Sequence, residues 1–233
     1  MKIQLHQYPG IWGLPSLSPF CIKVEAFLRY NKLPYEVVIE KRPSKGPKGK
    51  MPFIKDGEQT IPDSSDILSH LIIKHGLQLQ MNNSAQALAF KSMLEESFYF
   101  ILLYSRWVDN DAFKVVKKDL GNIFLPGHAQ YFMGVIRRSL IKQAYMQGIG
   151  RHSKDEVYAR GISQLRAFSD KLADGNFFFG GKISDFDFSL YGFLVTMAKS
   201  PLDVVLYREF RQMKNLLRYT ERLDKLFNIH SIK

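Results

Sequence analysis

The chain has 233 residues, 45% hydrophobic and 24% charged, with 33 Lys and Arg against 22 Asp and Glu, which gives a formal net charge of +11. This composition supplies a sizeable core for one domain or two small ones, and it excludes disordered and collagen-like classes. No run approaches the ~18 consecutive apolar residues of a membrane span, "MKIQLHQYPG" lacks an apolar signal core, and the single cysteine permits no internal disulfide; a soluble, cytoplasmic protein held by packing is expected.

The first 79 residues alternate short extended runs with helical patterns. "KIQLHQY" alternates like a strand, and 18–31 carries Cys21, Val24, Phe27 and Leu28 at helical spacing. "YEVVIE" is a second β-rich run, and the basic "KRPSKGPKGK" that follows reads as a solvated Gly/Pro loop. "MPFIKDGEQTIP" predicts a hairpin turning at Asp56–Gly57, and Ser65 to His75 predicts an amphipathic helix ended by Gly76. Two helices on a four-stranded mixed sheet in this order make a thioredoxin-like arrangement.

After the turn-like "QMNNSA", helical periods dominate. Ser84 is placed to cap a long helix through "QALAFKSMLEESFYFILLYSRWV". In "GIGRHSKDEVYARG", Ser153 and Glu156 form a capping box, and Ser184 with Asp187 in "KISDFDFSLYGFLVTM" makes a weaker one with the shorter carboxylate. The expected organisation is α/β plus all-α, with domains over 1–79 and 80–233.

Several stretches carry a family likeness: "GKMPFI" as a strand entry with a cis-proline, "DSSDIL" as an acidic-Ser-x-x-Ile signature, and "FFFGGKISDFDFSL" as a helical-domain capping motif. With these the chain resembles the cytosolic glutathione transferase superfamily. "PSLSPFC", "GKMPFI" and above all "QGIGRHSKDEVYARG" resemble its failed axon connections and metaxin branch. The resemblance implies glutathione as co-substrate, a homodimer, and a hydrophobic electrophile or peroxide as second substrate.

Pro19 suits the first position of a helix because its missing N–H would be unpaired there, so Ser18 falls at the cap. Two roles fit Ser18: a plain N-cap, or a hydroxyl that donates to the thiolate of bound glutathione beside the positive end of the helix dipole, as the resemblance implies. Tyr8 and then Ser16 are the competing hydroxyls. Cys21, one turn into the helix, reads either as a buried core thiol or as a low-pKa thiol forming a mixed disulfide with glutathione. The resemblance further implies that the backbone of Met51, before a cis Pro52, pairs with the cysteinyl unit. It places Ser64 and Asp63 on the γ-glutamyl carboxylate and amine, and Lys50 towards the glycyl carboxylate. Tyr104, Arg106 and Trp107 share a stretch of the first long helix and form either core or the wall of a second-substrate pocket.

No histidine, His152 included, stands at a defensible metal-ligand spacing, so no metal is expected. The positive charge is spread over both halves without a pattern that reads bases, so no specific nucleic-acid partner is expected. The competing function is a non-catalytic, metaxin-like adaptor. Against a close metaxin role stands the ending "LDKLFNIHSIK", which has no hydrophobic anchor.

Overall fold

The computed structural model describes residues 2–79, 84–124 and 129–229; the turn expected at "QMNNSA" lies outside them except for Ser84 and Ala85. Packing gathers the chain into two compact units. One comprises Met1–Ala87, Gly175–Lys199 and Arg218–Lys233, and the other Leu88–Asp174 and Ser200–Leu217. The fold is a thioredoxin-like sheet-and-helix portion followed by helices.

In the first unit, strands β1 (Ile3–Gln7), β2 (Tyr35–Ile39), β3 (Phe53–Asp56) and β4 (Gln59–Pro62) form one sheet in the order β2-β1-β3-β4. β1 and β2 are parallel, with Leu5 opposite Val37 and Gln7 opposite Ile39, and the other two pairings are antiparallel. Gly57 takes φ +65 at the β3–β4 turn, a conformation that costs glycine little. Helices α1 (Pro19–Tyr30) and α2 (Ser64–His75) follow the strands as the sequence pattern predicts.

The sequence alone does not foresee how fully α1 is enclosed. Helix α8 (Asp185–Ala198), buried along nearly its whole length, lies directly against it. A Cβ on Gly192 would come within 2.4 Å of the Pro19 carbonyl oxygen. Phe20 meets Phe193 and Phe27 meets Phe188 edge to face, with centroids 5.5 and 5.4 Å apart. All residues from Cys21 to Leu28 are therefore buried, not only an apolar stripe. Two of them are charged. Glu25 is satisfied by Gln7 Nε2 (2.9 Å), Tyr35 Oη (2.9 Å) and the Arg29 guanidinium (2.9 Å), as a buried carboxylate requires.

In the helical half, Ser84 Oγ accepts from the Ala87 N–H at 3.2 Å and so opens α3 (Ala85–Ser92). The helix then passes through a π-helical turn over Met93–Phe98, α4 (Tyr99–Leu103) and a second π-helical turn over Tyr104–Val108. Asp109 stops it and starts α5 (Asn110–Phe124) by accepting from Asp111 N at 3.0 Å and Ala112 N at 3.3 Å. Next come α6 (Ala129–Gln147), α7 (Lys154–Leu172), α9 (Val205–Gln212) and α10 (Lys214–Phe227). Both expected capping boxes form: Ser153 N donates to Glu156 Oε2 and Ser184 N to Asp187 Oδ2, each at 2.8 Å.

Candidate active site

Helix α1 begins where Pro19 removes one donor and Ser18 takes extended backbone angles (φ −79, ψ 121). Ser18 Oγ accepts from Cys21 N at 3.5 Å, a long bond, and the Ser18 N–H is held by Ser16 Oγ at 3.3 Å. Ser16 is fully buried and Ser18 half-buried. No acidic residue occupies the first turn of α1, so its positive end is not neutralised from within the helix.

Cys21 is fully buried and clusters with Met51 and Phe53, with Tyr8 packed against them. Burial pushes its thiol up to about 11, although hydrogen bonding with the Tyr8 backbone and the Ser18 and Ser16 hydroxyls works in the opposite direction. A thiol in this setting stays protonated near neutrality and is a poor nucleophile. Ser18, Ser16, Tyr8, Cys21 and Met51 thus converge, whereas Lys50 is an exposed residue in the preceding loop.

The Met51–Pro52 peptide is cis, and Pro52 leads directly into β3. At the start of α2, Asp63 takes φ +71, in the region that favours glycine, and its carboxylate accepts from Ser65 N at 3.1 Å. A non-glycine residue held there signals local strain of the sort that gathers at functional sites. Ser64 is buried as the first residue of α2. Lys23, buried within α1, donates from Nζ to Ser65 Oγ at 3.0 Å and brings a positive charge to the N-terminal end of α2. Helix dipole and ammonium together favour an anion at this end.

Tyr104, Arg106 and Trp107 belong to the other unit. They occupy the second π-helical turn, a distortion that often marks functional positions. Tyr104 and Arg106 are buried and Trp107 is half-buried; Arg106 Nε donates to Tyr207 Oη at 3.0 Å, and the Trp107 and Phe113 rings lie 6.1 Å apart. Beside them Asp109 accepts from Tyr158 Oη and Lys154 Nζ, both at 2.7 Å. Burial raises the Asp109 carboxyl, but these donors outweigh it and hold the group below the usual carboxylate range.

Lys23 and Asp109 were not singled out from the sequence. Lys23 is enclosed by contacts that its own helix does not supply, with Gly192 of α8 beside its backbone and Ser65 of α2 at its ammonium. Asp109 had a usable signal: a short carboxylate between a long helical period and a new one is a common N-cap. Among the described residues, no three His, Cys, Asp or Glu gather to hold a metal ion, and no helix is long and apolar enough to cross a membrane.

Known proteins share this fold. The chain matches the glutathione S-transferase N-terminal domain over residues 19–112 and the glutathione S-transferase C-terminal domain over 161–223. It is 28% identical over 237 residues to the isoprene-epoxide–glutathione S-transferase of Rhodococcus sp. (strain AD45), covering 97% of this chain and 100% of that one. Failed axon connections of Drosophila melanogaster is 30% identical over 244 residues, covering 97% of this chain and 58% of that longer protein. Metaxin-1 of Macaca fascicularis is 25% identical over 238 residues, covering 97% and 75%. The crystal structure of glutathione transferase GSTFuA3 from Phanerochaete chrysosporium shares the fold, with a TM-score of 0.70 at 13% identity over 100% of this chain and 99% of that one. The chain belongs to the glutathione S-transferase superfamily, in its failed axon connections and metaxin-like branch.

Proposed function

We propose that the protein binds glutathione against α1, the Met51 backbone and the start of α2, and that the Ser18 hydroxyl holds the bound thiol as thiolate for attack on an electrophile. The observation that carries this reading is the start of α1: a half-buried serine with one long acceptor bond, on a helix end without an internal counter-charge. A thiol of ordinary pKa is only about 3% ionised at pH 7, and shifting it down by two units requires about 2.7 kcal/mol. A charge-assisted hydrogen bond supplies roughly 1.5 to 3 kcal/mol and a helix N-terminus roughly 0.3 to 1 kcal/mol, which together suffice.

Ser64 and Asp63 would take the γ-glutamyl carboxylate and amine, with the Lys23 charge favouring the carboxylate, and Lys50 would approach the glycyl carboxylate. The sulfur then attacks an electrophilic carbon, its lone pair forms the new S–C bond, and the leaving oxygen keeps the pair of the broken C–O bond until protonated. An epoxide is the electrophile class suggested by the name of the Rhodococcus relative, and Tyr104, Arg106 and Trp107 are the residues assigned to it. Tyr8 ranks behind Ser18 because it packs on the Cys21, Met51 and Phe53 cluster. A homodimer and a cytoplasmic location belong to the same reading; light scattering at the mass of one 27.0 kDa chain would refute the dimer.

The similarity to failed axon connections and metaxin-1 favours a second reading, a non-catalytic adaptor on the same fold. Calorimetric titration with glutathione separates the two. The transferase reading expects saturable binding that weakens about tenfold or more in Ser64→Ala, by the loss of a charge-assisted contact. Absence of binding to the wild type supports the adaptor.

A further inference from the structure

The long helix of the second unit is closed from outside itself. After the π-helical turn Tyr104–Val108, Asp109 takes ψ 122 and leaves the helix. In a continuing helix the Trp107 and Val108 carbonyls would accept from the N–H groups of Asp111 and Ala112. Both of those N–H groups already donate to Asp109 Oδ1, at 3.0 and 3.3 Å. Two carbonyls at a helix C-terminus therefore lack their own donors and need partners from elsewhere.

Arg137 of α6 supplies them. Its Nε donates to the Trp107 carbonyl at 2.8 Å, and its Nη2 donates to the Val108 carbonyl at 3.0 Å and to Asn110 Oδ1 at 2.6 Å. The flat guanidinium also lies over the Phe113 ring, 4.2 Å from its centroid, and that ring stands 6.1 Å from the Trp107 ring. One side chain thus acts on Trp107 in two ways, directly at the backbone and by way of Phe113 at the indole. A lysine ammonium carries a charge that suits a helix C-terminus, but it has neither the planar fork nor the stacking face. Trp107 is half-buried, which leaves part of the indole open to a ligand. The distorted turn that carries it is of a kind that often marks functional positions.

We infer that Arg137 is a positioning residue that sets electrophile specificity: by fixing the Trp107 backbone and the Phe113 ring, it holds the indole as a flat wall for an aromatic electrophile. The inference rests on the transferase reading proposed above, in which Trp107 meets the second substrate. Arg137 takes no part in the bond-forming step.

Initial rates at saturating glutathione with two epoxides, aromatic styrene oxide and aliphatic 1,2-epoxybutane, test this. Arg137→Lys should raise the styrene oxide KM about fivefold, the size of one aromatic contact, with kcat and glutathione affinity changed by less than about twofold. The 1,2-epoxybutane KM should also stay within about twofold, because an aliphatic chain makes no ring contact to lose. Trp107→Ala should raise the styrene oxide KM by itself, and adding Arg137→Lys to it should raise it no further, since two residues acting as a unit are not additive. A merely structural clamp would instead lower the urea midpoint and move both epoxides alike. An unchanged styrene oxide KM, an equal rise for both epoxides, or a further rise in the Trp107→Ala background would each overturn the inference and leave the transferase reading standing. Failure of the wild type to turn over either epoxide would overturn both. Should Arg137→Lys fail to fold, Asn110→Ala decides: Asn110 is exposed and gives Arg137 one of its acceptors. A styrene oxide KM about twofold higher is then expected, as for one weakened hydrogen bond, and an unchanged one overturns the inference.

Discussion

At the start of α8, Asp187 accepts four hydrogen bonds: from Phe178 N at 2.8 Å, Tyr219 Oη at 2.7 Å, and Ser184 N and Oγ, both at 2.8 Å. At the start of α1, the Ser18 hydroxyl oxygen accepts one backbone N–H at 3.5 Å, and the first turn holds no carboxylate. Both helices open on a serine, yet one end is buried and tightly bonded while the other is half-buried and closed by one long side-chain bond. A saturated cap fixes structure. A loosely held one leaves the positive end of its helix without a counter-charge from the first turn.

The contrast breaks first at Asp187. Asp187→Ala strands four donors in the interior and should cost roughly 4 kcal/mol, read as a lower urea midpoint. A loss below about 1 kcal/mol would mean that the α8 cap is no more structural than that of α1. Gly192→Ala comes next. Its Cβ meets the Pro19 backbone at 2.4 Å, so α8 must shift off α1, at a cost of about 1 to 3 kcal/mol. Glutathione affinity should fall with it, because Pro19 opens the helix that carries the proposed site.

Ser18→Ala sharpens the comparison from the other side. Folding stability should fall by about 1 kcal/mol or less, while the thiol of bound glutathione should rise in pKa by about one unit, measured by ultraviolet titration of the thiolate. Cys21→Ala should leave that titration unchanged, and native Cys21 should alkylate measurably only as pH approaches its value of about 11. An unchanged thiolate in Ser18→Ala would return Ser18 to a plain cap and move the catalytic assignment to Tyr8.

The smallest effect concerns Asp56. Burial raises its carboxyl, but Lys74 at 2.6 Å and His70 at 2.9 Å outweigh this and hold it below the usual carboxylate range. A depressed folded pKa contributes stability that is present above the unfolded value, ~3.9, and lost as pH falls through the folded one. Lys74 is 44% exposed, so the contribution is about 1 kcal/mol or less. The stability gap between wild type and Asp56→Asn should therefore close as pH drops below about 4.

Legibility in the sequence followed the reach of the interactions. Caps and turns span three or four residues, so Ser84, Ser153–Glu156, Ser184–Asp187 and the Asp56–Gly57 turn were all readable from spacing. The burial of Lys23 and Glu25 was not readable, because it depends on partners outside α1: Ser65 in α2 for Lys23, and Gln7 and Tyr35 in the sheet for Glu25. Nor did the sequence reveal the two π-helical turns, since an extra residue in one turn leaves the apolar pattern almost intact. For the candidate site, the positions of Ser18, Met51–Pro52 and Asp63–Ser64 came from motif resemblance. The helical stripe that Cys21 shares with Val24 and Leu28 offered a buried core thiol as one of its two readings, and the thiol is fully buried, with its pKa pushed up to about 11.

The way α8 and the later part of α10 pack on α1 also bears on the order of events during synthesis. The strands emerge first, but the partners of α1 in the same unit lie in Gly175–Lys199 and beyond Arg218, whereas Leu88–Asp174 is contiguous. Contacts of such long sequence separation form slowly, because the intervening loop must close before any of them is rewarded. On the ribosome α1 should remain uncovered on its outer side until α8 and the later part of α10 have left the exit tunnel. The proposed glutathione site would then be among the last features of the molecule to mature, although its residues are among the first to be made.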